Sequence, residues 1–289
     1  MGSDVFSYFQ AIFTGFIQGV TELFPVSSLG HAVLMPAWVG GSWAAFAKTD
    51  KYFLITIALH LASAIALLLI FWRRWFDLLL AFFRGLSRKE YSAPGFKVIC
   101  LVIVGIIPVA LIGKFFGDYF QTLFGKPIAS ACFLTLNGLI LITAERMSGS
   151  HRQYGNPDIA IAERISLRQA LVVGVGQSAS LFAGISRLGI TMSFGLLRGL
   201  SRSIASDFAF LLAFPVIFGA SLLKLPKLAN ADLHGMIGPI LVGCLVSFIG
   251  TYLAVKFLVR WFKTNTLYPF AIYCLLVGVI SVLRFGVFN

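Results

Sequence analysis

The sequence predicts an all-α polytopic membrane protein made of two inverted repeats, each a re-entrant helical hairpin followed by three transmembrane helices. Three observations predict it. The 289-residue chain is 58% hydrophobic and 12% charged, with a mean hydropathy of +0.91, far more apolar than a soluble domain. Stretches near the ~20 apolar residues that cross a hydrocarbon core recur along it. Two further segments are apolar but interrupted by Gly, Ser and charged residues, and these two resemble each other.

The spanning stretches are 53–72, 96–113 and 128–144 in the first half, and 205–223, 236–255 and 267–283 in the second. Backbone groups in lipid must be satisfied within the segment, so each is a helix. The net charge is +12. The basic residues gather at the ends of spans and not along one stripe, which argues against nucleic acid as a partner. Arg73, Arg74, Arg84, Arg88, Lys89 and Lys97 fill one loop, and Arg146, Arg152, Arg164 and Arg168 another; Arg198 and Arg202, then Lys256, Arg260 and Lys263, follow later segments. Alternation places these fifteen on the cytoplasmic side against seven outside, a positive-inside bias. The start, MGSDVFSYFQ, has no basic n-region, so the first apolar segment is expected to be retained. Cys100, Cys132, Cys244 and Cys274 stand alone in apolar spans and read as small core residues, with no spacing that suggests metal or disulfide.

The two broken segments align without gaps at an offset of 159 residues: GFIQGVTELFPVSSLGH (15–31) lies on GVGQSASLFAGISRLGI (174–190). Gly15/Gly174, Gln18/Gln177, Ser27/Ser186, Leu29/Leu188 and Gly30/Gly189 are identical pairs. Three spans follow each segment, and an odd number per repeat inverts the second half relative to the first. The first half is therefore 1–147, with its hairpin at about 8–45. A cytoplasmic linker, expected to be exposed, covers 148–168. The second half is 169–289, with its hairpin at about 169–200. Non-helical backbone at membrane depth survives only inside protein or beside a water-filled cavity, so the two hairpins are expected to face one another there.

Glu22, Ser28, His31 and Arg187 are the polar residues this brings to mid-membrane. Gln18 and Glu22, four apart, share a helix face. An intramembrane ionisable group is costly and is usually functional; the plain alternative is a cluster that caps the broken helix, with Ser27 or Ser28 as N-cap. Arg187 needs an anionic partner. Its planar fork suits a phosphate, with Ser186, Thr191 and free backbone N–H groups near Gly184 and Gly189 as neutral donors. A structural Arg187–Glu22 ion pair is the other way to satisfy it. A serine needs a base to become a nucleophile, and His31, three residues on, reaches Ser28 if the turn folds back.

These motifs resemble the bacterial undecaprenyl-diphosphate phosphatases associated with bacitracin resistance. QGVTE (18–22) resembles that family's acidic (Glu/Gln)-xxx-Glu motif, with PVSSLGH (25–31) directly after it, and GISRLGIT (184–191) resembles its PGxSRSxxT motif. SRSIASDFAFLLAFP (201–215), FWRR (71–74) and PFAIY (269–273) fit as well. The resemblance implies a multi-pass protein of the bacterial plasma membrane that removes the terminal phosphate of a polyprenyl diphosphate, giving the monophosphate carrier used in wall synthesis. It implies a site open to the periplasm, with Ser28 as nucleophile, Arg187 as phosphate clamp, and Glu22 and His31 in acid/base work and orientation. Gln18, Ser27, Ser186, Thr191, Gly184 and Gly189 would bind substrate. A divalent cation, Mg or Ca, is compatible with it, held by Glu22 and by the substrate's phosphates; so is a homodimer, and no organic cofactor is expected. A polyprenyl-phosphate transporter or flippase using the same cavity without hydrolysis is the alternative.

The sequence departs from the family pattern at Leu29, where a Thr is usual, at Ala183 for Pro, at Leu188 for Ser, and at Cys274 for Arg. His60, alone in its span, reads as a packed or interfacial residue, and Asp207 as a cap or a partner of Arg202.

Overall fold

The computed structural model describes residues 6–148 and 155–287, and every regular element among them is helical. Arg152, one of the basic residues assigned to the linker, lies outside the described residues. The first part holds α1 (Tyr8–Thr21), α2 (Ser28–Val39), α3 (Gly41–Phe46), α4 (Asp50–Arg88), α5 (Pro94–Leu123) and α6 (Pro127–Met147). The second holds α7 (Pro157–Arg164), α8 (Leu167–Gln177), a 3-10 turn (Ser178–Leu181), α9 (Arg187–Leu197), α10 (Arg202–Ala229), α11 (Ile237–Thr264) and α12 (Tyr268–Gly286). Six of them, α4, α5, α6, α10, α11 and α12, are long and apolar enough to cross a membrane, and they contain the six expected stretches. Large apolar side chains point outward from these helices, among them Leu111, Leu223, Leu241 and Leu276. That surface is suited to lipid and not to water.

α1, α2, α8 and α9 are different. At 1.5 Å per residue their 11 to 14 residues reach about 16–21 Å, short of the ~30 Å hydrocarbon core. α1 and α8 begin alike. Ser7 with Gln10, and Ser166 with Gln169, each close a capping box, and both pairs keep the 159-residue offset. Each helix then lies on a long helix from the other half of the chain. A Cβ on Gly15 would run into the Gly243 carbonyl of α11, and one on Gly174 into the Gly105 carbonyl of α5. Backbone approach of this closeness is what small residues permit between helices in lipid.

α4 has 39 residues, about 58 Å, so it runs well past the hydrocarbon core. Its regular path breaks at Phe71 (φ −104°, ψ 16°). Just beyond, Arg74 binds Asp158 of α7 at 2.7 and 2.9 Å and lies 3.5 Å from Asp207 of α10. Two expectations are corrected here. The linker is not simply exposed: 157–164 is helical, Ala160 and Ile161 pack into the core, and Asp158 of the same helix binds Arg74. Asp207 neither caps α10, a place held by Ser201, nor meets Arg202, which pairs in the interior with Glu145. Of the four cysteines only Cys274 is buried; Cys132 is exposed and the others are half-buried.

Candidate active site

The two chain breaks meet at the centre of the fold. Ser27 starts α2 as its N-cap, and its Oγ accepts from Gly30 N at 3.2 Å and from Gly184 N, across the interface, at 3.0 Å. Ser186 starts α9 in the same way. Its Oγ accepts from Gly189 N at 3.2 Å and donates to the Phe24 carbonyl at 3.3 Å. Asn137 of α6 joins the two breaks: its Nδ2 donates to the Pro25 carbonyl at 2.9 Å and its Oδ1 accepts from Ser186 N at 3.0 Å. Gly184 sits at φ +120°, where a Cβ would meet the Ser130 carbonyl at 2.5 Å. Ser27 holds φ +68° without being glycine, a backbone cost of about 1–3 kcal/mol of the kind that persists where the surroundings over-determine it.

On this frame Glu22 is the hub. Its Oε2 accepts from Ser28 Oγ at 2.6 Å and from Gln18 Nε2 at 2.6 Å, and lies 3.2 Å from His60 Nε2. Its Oε1 is 3.6 Å from Arg187 Nη1. Glu22 lies at the C-cap of α1 and Ser28 opens α2, so the turn between them folds the hydroxyl back onto the carboxylate. Arg187 opens α9, and its Nε and Nη1 are buried without a hydrogen-bond partner. Glu22 is thus the guanidinium's ionic neighbour, but the hydrogen bonds of its buried Nε and Nη1 stay unmade, at a cost of about 1–3 kcal/mol each, which leaves those donors open to a bound anion. A small cleft is lined by Glu22, Ser27, Ser28, Leu29, His60, Ser180, Ile185 and Arg187.

In the structure Ser28 Oγ donates to Glu22 and not to His31. His31 points elsewhere: its Nδ1 is 2.7 Å from the Ser27 carbonyl and its Nε2 2.8 Å from the Tyr273 hydroxyl. A carbonyl only accepts, so Nδ1 carries hydrogen and Nε2 takes the tyrosine's proton. Both nitrogens are thereby committed, and Glu22 holds the place beside the serine. Ser186 and Thr191 do not line the cleft; Ser186 is spent on its cap and Thr191 donates to Gln177 Oε1 at 3.4 Å. Gly184 and Gly189 serve close packing, the latter with Pro25 Cβ 3.1 Å from a built Cβ.

His60 and Ser180 are cleft residues that the sequence reading did not assign. His60 is neither merely packed nor interfacial, because it faces Glu22. Ser180 is 4% exposed, and its hydroxyl has no partner. The one signal for it lay in the repeat, where QSAS (177–180) matches QGVT (18–21) just before Glu22. Leu29 occupies the cleft wall, whereas Cys274 lies behind it, accepting from Asn137 Nδ2 at 3.3 Å.

Known proteins are similar to the chain over nearly its whole length. Over 94% of its length the chain is 43% identical to the undecaprenyl-diphosphatase of Mycolicibacterium paratuberculosis, covering 95% of that protein. It is 38% identical to undecaprenyl-diphosphatase 2 of Frankia alni, over 97% of this chain and 98% of the relative. It is 36% identical to the undecaprenyl-diphosphatase of Granulibacter bethesdensis, over 93% and 94% respectively. Residues 11–280 match the family model described as bacitracin resistance protein BacA. With nearly its whole length matched, the chain belongs to the bacitracin resistance protein BacA family.

Proposed function

We propose that the chain is an undecaprenyl-diphosphatase, a membrane enzyme that removes the terminal phosphate of undecaprenyl diphosphate, with Ser28 as nucleophile, Glu22 as its base and Arg187 as the phosphate clamp. The observation that carries the chemistry is the single Glu22 carboxylate, which accepts from Ser28 Oγ at 2.6 Å on one oxygen and faces the unsatisfied Arg187 guanidinium with the other. When the diphosphate enters, Arg187 turns its free N–H groups to the terminal phosphate and releases Glu22. Glu22 takes the Ser28 proton as Oγ attacks phosphorus. The Ser28 O–P bond forms as the anhydride P–O bond breaks, and undecaprenyl phosphate leaves with the proton that Glu22 took. Glu22 then takes a proton from water; the water oxygen attacks the phosphoserine, the Ser28 O–P bond breaks to free phosphate, and Glu22 returns its proton to Ser28 Oγ. Arg187 stabilises the charge on the transferring group in both steps.

His31 anchors the turn through Ser27 and Tyr273, while Gln18 holds Glu22 from the α1 side. These residues do not fit a resident Mg²⁺ or Ca²⁺. Among the described residues no group of three or more His, Cys, Asp or Glu is placed to hold a metal ion, and the one carboxylate already accepts two hydrogen bonds and has His60 and Arg187 beside it. A dedicated cage needs more oxygen ligands than this.

The inverted-repeat reading is supported by matching contacts at the 159-residue offset. The capping boxes of Ser7 and Ser166, the N-caps of Ser27 and Ser186, and the backbone contacts of Gly15 and Gly174 correspond pairwise. The excess of basic residues on one side supports α1 and α2 entering from the periplasmic face, so that the serine half of the site arrives from outside. Phosphate release from undecaprenyl diphosphate by the purified protein in detergent tests the function. Lipid binding without release, in the wild type, would instead favour the transporter.

A further inference from the structure

We propose that His60 is a positioning residue of this site: its Nε2, 3.2 Å from Glu22 Oε2, holds that oxygen toward Ser28, while the ring is locked from behind by the backbone of its own helix. The proposal rests on the function proposed above and adds a residue on α4 to a site otherwise built from the two chain breaks.

The hydrogen-bond accounting leaves little freedom. His60 Nδ1 is 2.7 Å from the Thr56 carbonyl, one turn back on α4, and a carbonyl only accepts, so Nδ1 carries hydrogen. Nε2 is 3.2 Å from Glu22 Oε2. Without a proton between them, two lone pairs would face each other at a site 8% exposed on the histidine side and 5% on the glutamate side. Such a contact is costly in a low-dielectric interior. Oε2 also accepts from Ser28 and Gln18. With Ser28 and Gln18 on its other sides, Oε2 cannot turn away from Ser28 without leaving His60.

The ring's own anchorage points the same way. Thr56 Oγ1 donates to the Tyr52 carbonyl at 2.9 Å, and Tyr52 Oη donates to the Ala32 carbonyl of α2 at 2.9 Å. A ladder of one-turn contacts on α4 thus fixes His60 relative to the helix that begins at Ser28. A histidine that only filled space in this span would have no need of an ionic partner, and an ionisable group in a span is costly without one.

The test is phosphate release from undecaprenyl diphosphate by purified His60→Leu and His60→Gln, each compared with wild type in the same detergent. His60→Leu is expected to lower kcat about 30-fold while KM moves less than about 3-fold, because the donor acts on the base and not on the lipid. His60→Gln keeps an N–H donor within reach of Glu22 and is expected to recover to within about 5-fold of wild type. A kcat for His60→Leu within about 2-fold of wild type overturns the proposal. So does equal impairment of the Leu and Gln variants, or a loss confined to KM. If His60→Leu yields no folded protein, His60→Met against His60→Gln makes the same comparison. Absence of release by the wild type removes the parent function, and this role with it; wild-type release with an unaffected His60→Leu removes His60 alone.

Discussion

The Ser28 hydroxyl donates to Glu22 at 2.6 Å, while His31, one turn further along α2, has both ring nitrogens bound to Ser27 and Tyr273. The division of labour between the two candidate bases follows from this geometry. Ser28→Ala and Glu22→Gln are each expected to lower kcat by about 10³-fold, in the range of losing a nucleophile or its base. His31→Ala should cost only about 10-fold, by loosening the turn that carries Ser28. Steady-state phosphate release measures all three. A His31→Ala enzyme as dead as Ser28→Ala, with Glu22→Gln near wild type, would return the role of base to the histidine.

Arg187 should be the most sensitive position. Its Nε and Nη1 have no hydrogen-bond partner while buried, so their attraction is available to a phosphate, and most of all to one gaining charge in transfer. Arg187→Ala is expected to lose at least about 10³-fold in kcat/KM. Arg187→Lys should recover only a small part of it, since an ammonium keeps the charge but not the planar fork. Equal activity of the Lys variant and wild type would show that charge alone suffices.

Glu22, Ser28 and Arg187 were legible in the sequence because each belongs to a local motif and because the repeat pairs Ser28 with Arg187. The six spans were legible because hydropathy is a property of contiguous residues. His60 was not, since its contact with Glu22 crosses 38 positions and depends on how α4 is rotated about its axis. The direction of the His31 ring was hidden for another reason. Only when α2 starts at Ser28 does a helical turn carry the imidazole back to the Ser27 carbonyl. The ion pairs Arg74–Asp158 and Arg202–Glu145 join segments distant in sequence, and charge spacing alone had suggested Asp207 as the partner of Arg202.

Ser180 supplies a hydroxyl to a cleft in which Leu29 supplies none. With no partner in the interior, its Oγ is free to donate to a phosphate oxygen of the bound diphosphate. Ser180→Ala is expected to raise KM about 3- to 10-fold with kcat within about 2-fold, the pattern of lost uniform binding. Ser193, also buried and unpartnered but absent from the cleft wall, is the control, and its Ala variant should leave both constants unchanged. A Ser180→Ala enzyme with wild-type KM would remove Ser180 from the binding surface.

Gly15 and Gly174 stand at equivalent places and meet backbone, not side chains: the carbonyls of Gly243 and Gly105. Backbone cannot rotate out of the way, so a methyl group at either position forces two helices apart. Gly15→Ala and Gly174→Ala should each destabilise the protein by about 1–3 kcal/mol, and by similar amounts if the two halves are built alike. Gly117, in α5, has nothing within 4 Å of a built Cβ. There the same substitution should stabilise by about 0.4–1 kcal/mol, by restricting the unfolded chain. Thermal unfolding midpoints of the three variants in detergent, read against wild type, separate close packing from helix propensity. A shift at Gly15 without one at Gly174 would break the equivalence of the two contacts.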